Sequence, residues 1–269
     1  MFEATVVTKT YVNDLVDHFK HLFDNRVKEY LDPLGYIPAS RDLQMTFIPT
    51  IKTVNFDTNN IVTSITDPIT NTVLSNATPS ERPTLRLDST LDMYYLDFNG
   101  SYLSNEISIS LGGQRGDTMS FFLIANTYTV KQQNQFSWKS SNSTDRLDIL
   151  LPWSNGKVII NYGKSGPTAQ LFQDFAGRFD EIINKLVIWT YVRNGSSAKL
   201  YLNGVLEETV DGLTSHFQPY DTGRFTIGTG ELNSFAKMGF YGLLIYKRAL
   251  SDDEIEKMNK FLLKKYKIE

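Results

Sequence analysis

The sequence predicts a mainly β protein with a helix at each end of the chain. Alternating apolar runs fill the middle of the sequence and are separated by turn residues. Two of the breaks are Asn194-Gly195 and Asn203-Gly204, and each pair supplies the positive-φ residues of a tight hairpin turn. The spacing of apolar residues changes from two to about 3.6 near both termini, which indicates helices there.

The first predicted element is an amphipathic helix over residues 11–31, within an N-terminal extension of residues 1–45. Asp32-Pro33 and Gly35 end it. Two interpretations stay open: the helix packs against its own β domain, or it serves docking or oligomerisation. Its apolar stripe consists of Val12, Val16, Phe19, Phe23 and Tyr30.

The middle of the chain predicts four strands in the runs MSFFLIANTYTV, QFSWK, DRLDILLPW and GKVIINYG. Trp138 and Trp189 fall inside strand runs, and we expect both in the core. The last element is a short helix, because Ser251 and Glu254 have the spacing of a capping box and Ile255, Met258 and Leu262 follow at helical spacing.

Three motifs in this order carry a resemblance to a known family. They are the segments 193–195 (RNG), 200–204 (LYLNG) and 242–255, which includes LIYKRALSDDEI. Together they resemble laminin G-like domains of the concanavalin A-like lectin/glucanase class, of the kind found in phage and other viral structural proteins. The resemblance implies a two-sheet antiparallel jelly-roll sandwich over residues 46–269, with the N-terminal helix and the short C-terminal helix as additions.

Composition excludes several classes of protein. The net charge is −3 and the pI is near 5.7, so no basic surface for nucleic acid is indicated. The chain has no cysteine, which removes disulfides and thiolate metal sites. No apolar run reaches the length of a membrane span, and the N-terminus lacks the pattern of a signal peptide.

The resemblance implies a function without catalysis. We expect a virion structural protein (capsid decoration, fibre or tail component), assembled in the host cytoplasm, whose laminin G-like domain adheres to a protein or a glycan. Its N-terminal segment would attach it to other virion proteins or form a homo-oligomer. The alternative is a free calcium-dependent carbohydrate-binding lectin or adhesin.

The motifs for catalysis and metal binding are missing or weak. No Glu is followed two residues later by Asp, so the Glu-x-Asp-x-x-Glu pattern of related glucanases is absent. His18 and His21 share a helix face but lack a nearby third ligand. No metal site is therefore predicted, although the resemblance leaves a calcium ion open, with Asp92, Asp97, Asp211 and Asp221 as loop or strand-end candidates.

A carbohydrate site would combine an aromatic platform with amide and carboxylate groups on loops at one edge of the sandwich. For Trp153, a buried anchor and an exposed platform are both open interpretations. The candidate residues are Trp153, Asn155 and Tyr162 around one turn, and Tyr220 and Asp221 in another loop.

Overall fold

We analysed a computed structural model, which describes residue 39 and residues 42–107, 116–141, 144–163, 170–217, 222–230 and 234–269. The chain divides into two units, Met1–Tyr36 and Ile37–Glu269, and the description concerns the second. The predicted docking residues Val12, Val16, Phe19, Phe23 and Tyr30 lie outside the described residues, so their role stays a prediction.

The described residues form two antiparallel sheets packed face to face, which confirms the predicted sandwich. One sheet has eight strands in this part of the chain: β1 (Leu43–Phe47), β5 (Thr84–Asp88), β6 (Met93–Asn99), β8 (Thr118–Thr127), β13 (Leu186–Asn194), β14 (Ser197–Leu202), β15 (Val205–Val210) and β17 (Lys237–Tyr246). Their spatial order is β15-β14-β13-β8-β17-β6-β5, and β1 pairs with the second half of β17.

The other sheet has nine strands among the described residues: β2 (Val54–Phe56), β3 (Val62–Thr66), β4 (Val73–Ser75), β7 (Leu103–Ile107), β9 (Phe136–Ser140), β10 (Arg146–Leu150), β11 (Lys157–Gly163), β12 (Gln170–Asp174) and β16 (Gly223–Ile227). Their spatial order is β12-β11-β10-β9-β16-β7-β4-β3-β2. Short 3-10 turns at Pro79–Glu81 and Phe179–Glu181 lie between strands.

The core between the sheets is rich in aromatic rings. Phe121 packs edge-on against Phe136 with ring centroids 5.1 Å apart, and Phe47 stacks on Phe225 at 5.7 Å. Trp138 and Trp189 are each only 1% exposed, which confirms that both are core residues. Aromatic contacts between facing strands of this kind add packing energy to the burial of apolar area.

The two predicted hairpins form, one of them with a shifted turn. Asn203 and Gly204 both have positive φ, of 50° and 82°, and join β14 to β15 as predicted. The other turn is Gly195-Ser196 rather than Asn194-Gly195, because Asn194 pairs with Ser197 across the hairpin. Gly195 then holds the first turn position with φ 59°, and Asn194 stays in the strand.

The C-terminal helix α1 (Asp252–Lys265) begins at the predicted capping box. The Ser251 side chain accepts from the Glu254 amide at 3.3 Å, and the Glu254 carboxylate accepts from the Ser251 amide at 2.9 Å. The buried residues of α1 are Ile255, Met258, Asn259 and Leu262. Asn259 lies 3.0 Å from the Thr190 hydroxyl of β13, which places α1 on the outer face of the eight-stranded sheet.

The predicted domain boundary at residue 46 falls inside β1. This strand pairs with β17 from Leu43 onward, and its Thr46 amide donates to the Asp67 carboxylate at 3.0 Å. Asp67 is fully buried and also accepts from the Ile69 and Thr70 amides. The carboxylate therefore joins the first strand of the domain to the β3–β4 hairpin.

Candidate functional site

The outward face of the nine-stranded sheet carries a row of polar side chains across six neighbouring strands. Phe225, Trp138, Leu147 and Ile160 on four of these strands belong to the core, so the alternate positions point away from it. Six residues at these outward positions form what we term the polar row, and each is the cross-strand partner of the next: Ser104, Thr226, Ser137, Asp148, Asn161 and Gln170.

A second row of charged side chains lies beside the polar row. Glu106 is the cross-strand partner of Arg224, Arg224 of Lys139, and Lys139 of Arg146. The outward face thus offers hydroxyl, amide, carboxylate and guanidinium groups within a few strand spacings of about 4.8 Å. Such mixed donors and acceptors suit a ligand rich in hydroxyl groups.

One depression on this face, which we term the groove, has a volume of about 520 Å³. Ser137, Thr226, Lys139 and Arg224 are among its lining residues, and Tyr102 and Phe235 line it with ring centroids 6.2 Å apart. The Arg224 guanidinium is oriented by Ser104, to whose hydroxyl Nη2 donates at 2.9 Å. The groove therefore combines an aromatic pair with fixed polar groups.

A second depression, the Trp153 pocket, has a volume of about 200 Å³ and lies over β10 and β11. Half-buried Trp153 forms part of its wall. The other lining residues are mostly polar and come from β10, β11, the first position of β12 and two loops: Asn134, Arg146, Asp148, Leu150, Ile159, Asn161, Gln170 and Ser234. Asp148 belongs to this pocket and pairs directly with Ser137 of the groove, so the two depressions are neighbours on the same row.

Hydrogen bonds fix the polar groups of the Trp153 pocket. Asp148 is 6% exposed, and its carboxylate accepts from Asn134 Nδ2 at 3.0 Å and lies 2.9 Å from Arg146 Nε. Ser234 donates to Asn134 Oδ1 at 3.0 Å, which orients that amide. Gly230 has no room for a side chain, since a Cβ there would lie 1.9 Å from Asn134 Nδ2.

Asn161 differs from its neighbours because its side-chain amide oxygen, Oδ1, has no hydrogen-bond partner in the described structure. The residue is 4% exposed and lines the Trp153 pocket. A buried acceptor without a donor costs about 1–3 kcal/mol. A hydroxyl group entering the pocket would supply the missing donor.

Two carboxylates of this face, Glu106 and Asp148, belong to strands that are not neighbours in the sheet. They lie on β7 and β10, which β16 and β9 separate, so their backbones are about 14 Å apart at the usual strand spacing. Glycosidase carboxylates stand roughly 5–9.5 Å apart. Each of these carboxylates can accept hydrogen bonds, and the separation of their backbones is larger than the carboxyl separation of a glycosidase pair.

The predicted carbohydrate residues have different positions in the structure. Trp153 lines the pocket, and exposed Asn155 lies in the adjacent turn, where its Oδ1 accepts from the Lys157 amide at 3.1 Å. Tyr162 is fully buried beside Phe217, with ring centroids 4.2 Å apart, so it offers no surface to a ligand, and burial raises the pKa of its hydroxyl well above the usual value. The prediction for Tyr162 is therefore wrong. Tyr220 and Asp221 lie outside the described residues.

The calcium candidates that the structure describes are separate from one another. Asp92 lies in an exposed turn and Asp211 on an exposed loop, while Asp97 accepts from Arg86 Nε at 2.5 Å and from the Tyr128 hydroxyl at 3.2 Å. Within the described ranges no group of three or more His, Asp or Glu side chains could hold a metal ion. No described helix has the length and apolar character needed to span a membrane.

The fold defines a class of protein, the two-sheet antiparallel β-sandwich. The family model described as the concanavalin A-like lectin/glucanases superfamily matches residues 97–256, more than half of the chain. The protein therefore belongs to this superfamily. No curated protein matches the sequence.

Solved structures share the fold at low sequence identity. Domain 4 of AbnA, a GH43 extracellular arabinanase from Geobacillus stearothermophilus solved with arabinotriose, has 14% identity and a TM-score of 0.52, covering 69% of this chain and 82% of that one. The binding domain of Paraclostridial Mosquitocidal Protein 1 has 14% identity and a TM-score of 0.57, covering 81% and 52%. Trypanosoma rangeli sialidase has 11% identity and a TM-score of 0.55, covering 86% and 34%. The chain thus spans about half the length of the solved toxin chain and about one third of the length of the sialidase chain.

Sequence reasoning missed most of the residues of the Trp153 pocket. Asn134, Asp148 and Asn161 are separated by 13 residues or more along the chain. Strand pairing brings Asp148 next to Asn161, and a side-chain hydrogen bond joins Asn134 to Asp148. One signal for these residues was present in the sequence. Asp148 and Asn161 occupy outward positions of two predicted strands that lie on either side of the turn at Trp153.

Proposed function

We propose that the protein binds carbohydrate, without catalysis, on the outward face of the nine-stranded sheet. The observation that carries the proposal is the Trp153 pocket. An aromatic wall and the buried, unpartnered oxygen of Asn161 meet there with the fixed polar groups of Asp148 and Asn134. Sugars present apolar C–H faces and many hydroxyl groups, and this combination matches both.

The relatives support the same class of ligand. A structure of the arabinanase domain contains arabinotriose, and the toxin segment is termed a binding domain. The spacing of Glu106 and Asp148 favours binding over hydrolysis. The groove beside the pocket extends the surface, which favours an oligosaccharide over a single sugar.

A glycan array with the wild-type protein, followed by calorimetry on the best ligand, tests the proposal. We expect Trp153→Ala to weaken binding about 10- to 100-fold, equal to about 1.4–2.8 kcal/mol. The matched control is Phe56→Ala, which removes a 41% exposed ring from β2 at the edge of the same sheet. Equal affinity of the wild type and Trp153→Ala, or no glycan bound by the wild type, would contradict the proposal.

The role of calcium is tested in the same experiment by adding a chelator. Hydrogen-bonding groups of the Trp153 pocket suffice to hold a sugar, so we expect binding to persist. Loss of binding in the chelator, restored by calcium, would instead favour the calcium-dependent lectin predicted as an alternative.

The virion role expected from the sequence stays a prediction. It concerns attachment through residues 1–45, whereas the proposed glycan site lies in the β domain. The two roles are compatible, because the N-terminal segment could attach the protein to a particle while the β domain binds the glycan. Deletion of residues 1–44 would then abolish incorporation into particles without changing glycan affinity. Normal incorporation of the truncated chain would refute the attachment role.

A further inference from the structure

Arg193 is a buried cation at one end of the sandwich, on a different sheet from the proposed glycan site. It occupies the last inward-facing position of β13, after Val187, Trp189 and Tyr191, and is only 1% exposed. Its guanidinium lies over the Tyr162 ring, 5.4 Å from the centroid. An apolar residue would be expected at this position from the pattern of the strand.

The hydrogen bonds of Arg193 involve no carboxylate in the described structure. Nη2 donates to the backbone carbonyls of Leu213 at 3.3 Å and Ser215 at 3.0 Å. Nε and Nη1 make no hydrogen bond of normal geometry among the described residues, although the Tyr191 hydroxyl interacts with the guanidinium. A buried cation that makes no hydrogen bond to a carboxylate is costly, and an incoming anion would lower that cost.

Arg193 also lines a cleft of about 340 Å³, the Arg193 cleft. The Gly195-Ser196 turn forms one wall and the loop of residues 213–216 the other, and the Leu213 amide donates to the Ser196 carbonyl at 2.9 Å to join them. The cleft contains hydroxyl groups of Ser196, Thr214 and Ser215 and the His216 ring. Asp117 is the acidic residue that lines it.

We propose that the Arg193 cleft binds a small oxyanion, a carboxylate or phosphate group, with Arg193 as its counter-charge and neighbouring hydroxyl groups as further donors. Guanidinium groups pair strongly with both anions through charge-assisted hydrogen bonds. The site is independent of the proposed glycan site, so either can fail without the other.

Thermal unfolding tests the proposal. The Tm is measured at increasing concentrations of inorganic phosphate, glucuronate or neutral glucose, and chloride keeps the ionic strength constant. We expect a saturable rise in Tm of the wild type with phosphate, glucuronate or both, and none with glucose. A response to glucuronate alone would assign the cleft to carboxylates, and a response to phosphate alone would assign it to phosphate. Arg193→Met, which keeps the bulk of the side chain without its charge, should lose the saturable response.

A second variant keeps the test informative if Arg193→Met does not fold. Thr214 is exposed and lies between the two carbonyls that Arg193 contacts, so Thr214→Glu places a carboxylate in the cleft. We expect it to raise Tm without added anion and to abolish the response to phosphate and glucuronate. Thr209→Glu, at an exposed position of β15 outside the cleft, is the matched control and should do neither. The proposal is overturned if the wild type shows no saturable response, or if Thr214→Glu responds as the wild type does.

Discussion

The two outer faces of the sandwich have opposite properties. The central strands of the eight-stranded sheet are covered on their outer face by α1, and Phe122, Tyr246, Met258 and Leu262 are fully buried beneath or within that contact. The face of the nine-stranded sheet carries the polar row, the groove and the Trp153 pocket. The covered face stabilises the fold, and the uncovered face is the one available to a ligand.

The strand sequences reflect this difference. β13 and β17 are buried along nearly their whole length, because the core covers one face and α1 the other. On β10 and β16, charged or polar residues such as Arg146, Asp148 and Arg224 alternate with core residues. A continuous apolar run thus marks strands covered on both faces, whereas alternation marks strands with one face toward solvent.

The largest effect should come from placing a charge beneath α1. Leu262 is fully buried, so Leu262→Asp should lower the free energy of unfolding by more than about 4 kcal/mol, because the carboxylate loses its hydration. Leu206→Asp, at a 50% exposed position of β15, is the control and should change it by less than about 0.5 kcal/mol. Urea denaturation measures both. Similar stabilities of the two variants would show that the helix contributes little to the fold.

On the uncovered face, Asp148→Ala should reduce both stability and glycan binding. The change leaves Asn134 Nδ2 without this acceptor and removes the ion pair with Arg146, which should cost about 1–3 kcal/mol of unfolding free energy. Affinity for the best array ligand should fall at least tenfold. Calorimetry and urea denaturation measure the two quantities, with Asp174→Ala on β12 as the control for loss of a carboxylate. Unchanged affinity would remove Asp148 from the site.

Asn161→Leu should separate stability from binding on the same face. The substitution replaces a buried acceptor that has no partner with an apolar side chain of similar size, so we expect about 1 kcal/mol of added stability. Glycan affinity should fall at the same time, since the sugar loses the carbonyl oxygen. Loss of stability together with unchanged affinity would mean that the Asn161 amide has a structural role.

The smallest effect concerns the pH dependence of the capping box of α1. The Arg248 guanidinium, 2.6 Å away, and the Ser251 amide lower the pKa of Glu254 to about 2 from its ordinary 4.5. Because the folded pKa is depressed, this stabilisation is present above about pH 4.5 and is lost as the pH falls toward 2.

We expect about 1 kcal/mol from this source, because the side chain is 31% exposed and water screens the ion pair. Glu254→Gln should flatten the stability curve between pH 5 and 2 relative to the wild type, as measured by urea denaturation at each pH. Glu256→Gln, on the exposed side of the helix, is the control. Parallel curves for Glu254→Gln and the wild type would contradict the assignment.

The elements set by local interactions were predictable from the sequence. Asn203 and Gly204 form the predicted turn because both adopt positive φ, and Ser251 and Glu254 form the predicted cap because their partners lie three residues apart. The turn predicted at Asn194-Gly195 lies one residue later in the structure, because Asn194 pairs with Ser197. This register depends on the whole hairpin.

The candidate site was only partly predictable. Trp153 was identified from its turn, but Tyr162 faces the core because strand alternation in β11 places Val158, Ile160 and Tyr162 inward. Its outward neighbour Asn161 lines the pocket instead. A shift of one residue along a strand moves a side chain to the other face, and a turn motif alone does not determine that parity.

The resemblance of three motifs to a known family implied the β-sandwich. The sequence by itself determined the strand-rich character of the chain, its closing helix, the core positions of Trp138 and Trp189, and the hairpin that contains Asn203-Gly204. These features depend on residue spacing and local hydrogen bonds, which can be read along the chain. The tertiary structure decided which face stays uncovered, how Asn134, Asp148 and Asn161 meet, and that Arg193 is buried beside a cleft. These features depend on pairing between strands distant in sequence, whose register local patterns do not specify.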